Sequence, residues 1–223
     1  MDRPVREQEG KLVRVSAGPV TVEGNLVVPE GAQGVVLFAH GSGSSRFSPR
    51  NRYVARALQE GGLATLLIDL LTEEEERIDL RTRELRFDIP LLVERLEGAV
   101  DWLQENQETH DLPVGLFGSS TGAAAALMAA PRRPDAVAAI VSRGGRPDLA
   151  GAALTQVRAP TLLIVGGRDT VVIGLNEQAM EQLSAEKRLE VVPGATHLFE
   201  EPGALERVAE LARDWFQQHL VAR

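Results

Sequence analysis

Residues 113–131 read PVGLFGSSTGAAAALMAAP, and the fold is decided by how this stretch is understood. The apolar run 114–117 predicts a buried strand, 118–122 a sharp turn, and 123–130 a helix of small residues. Inside the turn, Gly118-Ser119-Ser120-Thr121-Gly122 matches G-x-S-x-G. A serine on so tight a strand-to-helix turn carries an unfavourable backbone and an exposed hydroxyl. The two glycines lack a Cβ, so strand and helix can approach closely around it. Ser120 then stands at a helix N-terminus, where free N–H groups and the positive dipole end would meet a developing oxyanion. A small-residue turn can also serve packing alone, and a chain with 21 glycines offers chance matches. The partners of Ser120 must therefore come from the rest of the chain.

On either side of this stretch, strands and helices alternate. Residues 12–16 and 20–29 alternate polar and apolar around Gly18-Pro19, the pattern of an antiparallel hairpin at a sheet edge. The continuous apolar runs 34–39 and 63–70 read as strands covered on both faces. Between them, Ser48-Pro49 opens a helix that ends at Gly61-Gly62. The polar stretch 72–87 is expected to be a flap or a charged surface loop. Asp88 and Pro90 start a further helix carrying Leu92, Leu96, Val100 and Leu103 at helical spacing. Residues 135–142, 160–166 and 188–192 supply more strands, 143–157 a short connection, and Leu205, Val208, Leu211 and Phe216 line a final helix. From residue 34 onward this predicts a mostly parallel sheet with helices on both faces, in one domain spanning 1–223.

Composition narrows the function. The net charge of -8 argues against a broad nucleic-acid surface, which needs clustered Lys and Arg. The absence of cysteine excludes disulfides, thiolate nucleophiles and Cys metal sites. The segment 1–15 is charged without an apolar core, unlike a signal peptide, and no apolar run approaches a membrane span. The expectation is a cytoplasmic protein with no membrane or nucleic-acid partner; oligomeric state is left open.

In an open parallel sheet, functional residues gather at the carboxyl ends of the strands. Four loops there carry chemistry: residues 40–45, Ser120, Asp169 and His197. A serine hydroxyl needs a base, and the base needs an acceptor on its other ring nitrogen. His197 follows the last strand after Pro193-Gly194 and is the candidate base. His40 is assigned to locking its own loop, His110 lies at the opposite edge of the sheet, and His219 is expected to be solvated near a helix end. Asp169 is the candidate acid, with Asp148 next; Asp69 is read as structural. The oxyanion hole would join the Thr121 N–H to an N–H of the loop at 40–45, with Ser42 chosen and Gly43 next. A phosphate-cradling role for that loop lacks the P-loop lysine. Arg46, Arg81, Arg83, Arg143 and Arg168 lie near the active edge, where one could grip a substrate carboxylate or all could pair with residues 73–76.

H-G-S-G-S-S at 40–45, G-S-S-T-G at 118–122, G-G-R-D at 166–169 and G-A-T-H at 194–197 together resemble the α/β-hydrolase superfamily, and within it the small dienelactone hydrolase-like serine hydrolases. The resemblance runs from about residue 20 to the end. It implies an α/β-hydrolase fold with minimal or no lid and a Ser120–Asp169–His197 triad. The implied activity is hydrolysis of a small carboxylic ester or thioester through an acyl-enzyme, without cofactor or metal. Dienelactone hydrolases proper use a cysteine nucleophile, whereas this chain offers Ser120. A peptidase or acyltransferase on the same triad, or a non-catalytic scaffold of the same fold, are the alternatives.

Overall fold

The computed structural model describes residues 10–220; the charged segment 1–9 of the N-terminal reading lies outside them. One eight-stranded sheet organises the chain: β1 Lys11–Ala17, β2 Val20–Val27, β3 Val35–Ala39, β4 Ala64–Ile68, β5 Val114–Ser119, β6 Val137–Arg143, β7 Thr161–Gly166 and β8 Lys187–Val192. Their spatial order is β1-β2-β4-β3-β5-β6-β7-β8. The hairpin β1–β2 is antiparallel and joins β4 antiparallel, while every pair from β4 to β8 is parallel. The N-terminal hairpin therefore caps one edge of a parallel sheet, as the alternation at 12–29 predicts.

Among the described residues there are six α-helices: α1 Pro49–Glu60, α2 Glu73–Thr82, α3 Ile89–Glu105, α4 Thr121–Ala129, α5 Thr170–Gln182 and α6 Ala204–His219. Helices α3, α4 and α5 bury Leu96, Val100, Ala125 and Ala179 on one face with Leu37, Leu66 and Leu116 of the strands. Helices α1 and α6 bury Leu58, Val208 and Phe216 on the other, over Phe38, Phe117 and Ile164. Strands covered on both sides must be apolar throughout, which is why β3, β4, β5 and β7 are buried along their whole length.

The helix starts follow their capping residues. The Ser48 side chain accepts from the Asn51 N–H, with Pro49 first in the helix, and Asp88 accepts from the Leu91 N–H ahead of α3. The stretch 72–87 departs from the expected loop. Residues 73–82 form α2, closed by a capping box in which Thr72 accepts from the Glu75 N–H and Glu75 accepts from the Thr72 N–H. Glu75 also accepts from Arg95 Nη2 at 2.7 Å, and Arg95, buried in α3, donates to the Ala17 carbonyl as well. A T-x-x-E cap and a buried arginine thus tie the polar stretch to the core. The connection after β6 is a 3-10 segment, Pro147–Gln156, that buries Ala150 and Leu154 against α4 and α5.

Candidate active site

Strand β5 lies in mid-sheet between β3 and β6, and its carboxyl end turns directly into α4. Ser120 occupies that turn with φ 50° and ψ -118°, a left-handed conformation that costs a non-glycine residue energy. The turn is held from three sides. The Ser120 N–H donates to the Arg143 carbonyl at 3.3 Å, and the Ser120 carbonyl accepts from the N–H groups of Ala123 at 3.1 Å and Arg146 at 3.2 Å.

The glycines of the motif permit this by close approach. A Cβ on Gly118 would lie 2.4 Å from Ala123 Cα, and one on Gly122 would lie 2.3 Å from the Ala39 carbonyl oxygen. Real Cβ atoms do not come so near backbone. The pattern G-x-S-x-G therefore marks where strand, helix and the loop after β3 touch.

The loop after β7 and the loop after β8 are sewn together. The Gly167 N–H donates to Val192 O at 2.8 Å and the Arg168 N–H to Ala195 O at 2.9 Å. This brings Asp169 to His197, whose Nδ1–H donates to Asp169 Oδ2 at 2.6 Å. The imidazole stands over Gly144: a Cβ there would lie 3.4 Å from His197 Cε1. Gly144 directly follows Arg143, the residue whose carbonyl anchors Ser120. The His197 loop is further fixed by Glu201, which accepts from the Thr196 N–H at 3.0 Å; that bond holds its carboxyl below the usual range. Phe199 in the same loop is buried with φ 55°, and its N–H donates to the Thr196 carbonyl at 3.2 Å.

The runner-up acid, Asp148, lies elsewhere: its carboxylate takes both ends of the Arg146 guanidinium at 2.8 and 2.7 Å, which holds its pKa down. Ser42, Gly43 and Thr121 line one crevice with His40, Leu70 and Arg86. His40 is the lock expected for this loop: its Nε2 accepts from the Leu70 N–H at 3.1 Å and its Nδ1–H donates to the Gly41 carbonyl. Burial pushes its pKa down, against the opposing pull of the Gly41 bond and the Asp69 charge. Arg86, drawn onto buried Asp79, reaches over Gly43. Burial opposes the Asp79 charge, but the Arg86 N–H and guanidinium outweigh it and hold that carboxyl low. A cavity of about 750 Å³ opens on the far side of this loop, lined by Ser44, Arg46, Phe47, Asp69, Leu71 and Thr72 but by neither Ser120 nor His197.

Two expectations change. His219 is not solvated: its side chain is 11% exposed and packs on Trp215, ring centroids 4.4 Å apart. Arg46 pairs with Asp69 and Glu23 rather than with residues 73–76, and Arg143 is buried. Asp69, read as structural, accepts from the Arg46 N–H and pairs with its guanidinium.

The profile of the dienelactone hydrolase family matches residues 22–220. The chain belongs to the dienelactone hydrolase family. Among solved members of its fold, it resembles a dienelactone hydrolase from Anabaena variabilis at 66% identity and TM-score 0.93, covering 94% of this chain and 97% of that one. Est1E from Butyrivibrio proteoclasticus, at 15% identity and TM-score 0.77 over 93% of this chain and 98% of that one, shares the α/β-hydrolase fold alone. A Mycobacterium tuberculosis protein named "Putative phosphoribosyl transferase" is 59% identical over 219 residues, which cover 98% of this chain and 48% of that protein. The chain thus spans about half the length of this curated relative. Membership of the dienelactone hydrolase family supports hydrolase activity. Among the described residues no helix is long and apolar enough to cross a membrane.

Proposed function

We propose that this protein is a serine hydrolase that cleaves carboxylic esters or thioesters of small acyl substrates through an acyl-enzyme. The observation that carries the reading is the strained Ser120 turn, anchored on Arg143, beside a His197–Asp169 hydrogen bond of 2.6 Å. Ser120 Oγ attacks the carbonyl carbon while His197 Nε2 takes its proton. Asp169 fixes the tautomer that leaves Nε2 free and stabilises the imidazolium that forms. The N–H groups of Thr121 and Ser42 receive the oxyanion of the tetrahedral intermediate, helped by the N-terminus of α4. His197 then hands its proton to the leaving alcohol or thiol. In the second half it activates water to release the acid, and Ser120 regains its proton. No cofactor enters these steps.

The name of the mycobacterial relative raises phosphoribosyl transfer as a second reading. This chain corresponds to 48% of that protein, so the name applies to a chain about twice as long as the part matched here. Peptidase or acyltransferase activity would differ only in the bond cleaved or the acceptor, and a His197 side chain 40% exposed to solvent favours water as the acceptor. The test is turnover of short-chain esters and thioesters by wild type and Ser120→Ala, with phosphoribosyl transfer assayed alongside. Hydrolysis by wild type alone is expected. Equal turnover by both proteins would refute the role of Ser120.

A further inference from the structure

Arg143 ends β6 and is 8% exposed, yet its Nε and Nη1 are buried and donate to nothing among the described residues. A buried guanidinium is ordinarily paired, because an uncompensated charge away from water is costly. Here the neighbouring charge has the same sign. Burial first, and then the charge of Arg50, push Arg143 down to about 10. Arg50 itself keeps a buried Nε without a partner among the described residues, and its Nη1 reaches Glu200 at 3.2 Å. The Phe199 ring lies 6.0 Å from Arg143 Cζ, at the limit of a cation–π interaction.

The surroundings add positive potential. Arg50 is the second residue of α1, directly after Pro49, so it sits on the positive end of a 12-residue helix. The carboxylates nearby are already committed: Asp169 to His197, Glu201 to Thr196, Asp148 to Arg146 and Asp69 to Arg46. Among the described residues the one ion pair on either guanidinium is Arg50–Glu200, and the Glu200 side chain is 64% exposed. The site also adjoins the reaction centre, since the Arg143 carbonyl holds the Ser120 N–H and the Phe199 loop carries His197.

We propose that Arg143 and Arg50, with the N-terminus of α1, form a binding site for a phosphate-class oxyanion beside Ser120. Arg143 is its floor and Arg50, with 32% of its side chain exposed, its rim. Two guanidinium charges and the half-charge of the helix end, less Glu200, leave a surplus nearer to the 1.5–2 negative charges of a phosphate monoester than to the single charge of a carboxylate. Guanidinium forks also match phosphate oxygens in geometry. The ligand class is an acyl ester or thioester bearing a phosphoryl group. That use of the site rests on the serine-hydrolase reading, whereas anion binding itself does not.

The test is calorimetric titration with inorganic phosphate, and with acetate at matched ionic strength, of wild type, Ser120→Ala, Arg50→Met and Arg143→Met. Wild type and Ser120→Ala should bind phosphate equally, which separates this proposal from the role of Ser120. Arg50→Met should weaken binding by about tenfold or more, and Arg143→Met should abolish it. If Arg143→Met does not fold, Arg50→Met, at a side chain one-third exposed, carries the test. Absence of saturable phosphate binding to wild type would overturn the proposal. So would equal affinity for acetate, or phosphate affinity unchanged in Arg50→Met.

Discussion

Replacing Ser120 by glycine should stabilise the protein relative to replacing it by alanine, although both changes remove the same hydroxyl. Ser120 has φ 50° and ψ -118°, and its side chain makes no capping hydrogen bond to α4. Removing the hydroxyl therefore leaves no N–H orphaned, and Ser120→Ala keeps the backbone strain. Such a conformation costs a residue with a Cβ about 1–3 kcal/mol, which glycine escapes. Against this, glycine makes the unfolded chain freer by about 0.4–1 kcal/mol. The difference favours glycine by about 1 kcal/mol, or about 2–4 °C in melting temperature for a domain of this size. Differential scanning calorimetry of the two variants reads it directly. The carbonyl of residue 120 should keep its bonds to the N–H groups of Ala123 and Arg146 in both, so the comparison isolates the dihedral. If Ser120→Gly melted at or below Ser120→Ala, the turn would not be storing strain. The sheet would then not be forcing a serine into a strained position.

Three further outcomes follow from the same geometry. Asp169→Asn preserves the shape of the 2.6 Å contact but stabilises the wrong tautomer of His197, so kcat on a short ester should fall by about 10³–10⁴ with the melting temperature little changed; an unchanged kcat would remove Asp169 from the mechanism. Gly122→Ala drives a Cβ to 2.3 Å from the Ala39 carbonyl oxygen, and urea unfolding should show a loss of about 1–3 kcal/mol, whereas Gly174→Ala, with nothing near its Cβ, should show none. His40 is held neutral by burial, with its Nε2 accepting from Leu70, and its pKa lies below 6.5. The unfolded chain then binds this proton more readily, so the contribution of His40 is complete above pH 6.5 and lost as pH falls toward the folded value. Melting curves from pH 7 to 5 should show a decline that His40→Gln flattens; parallel curves would contradict it.

Much of the architecture was legible because its local signals agree with one another. The runs at 34–39, 63–70 and 114–117 could be apolar without interruption only if both faces were covered, and the Ser48-Pro49 and Asp88 caps stand where the helices begin. Asp169 and His197 were readable as neighbours because each follows a strand at the same sheet edge, and β7 and β8 are paired. The helix at 73–82 was masked by charge. Four consecutive glutamates look like solvated surface, and α2 buries only Asp79, so no apolar stripe marks it. Its signal was the T-x-x-E box at 72–75, which polar composition hid. His219 looked solvated because sequence position near a helix end says nothing of Trp215 stacking on it. The isolation of Arg143 was beyond any sequence pattern. It depends on which carboxylates the fold sends elsewhere, and the Arg146–Asp148 pair three residues on gives no hint of it.

The central claim is that the fold activates Ser120 and no other serine. Intact-mass analysis after treatment with a fluorophosphonate tests it most directly, on wild type and on Ser120→Ala. The account predicts a single adduct on wild type and none on the variant. An unlabelled wild type, or an adduct that survives in Ser120→Ala, would contradict it.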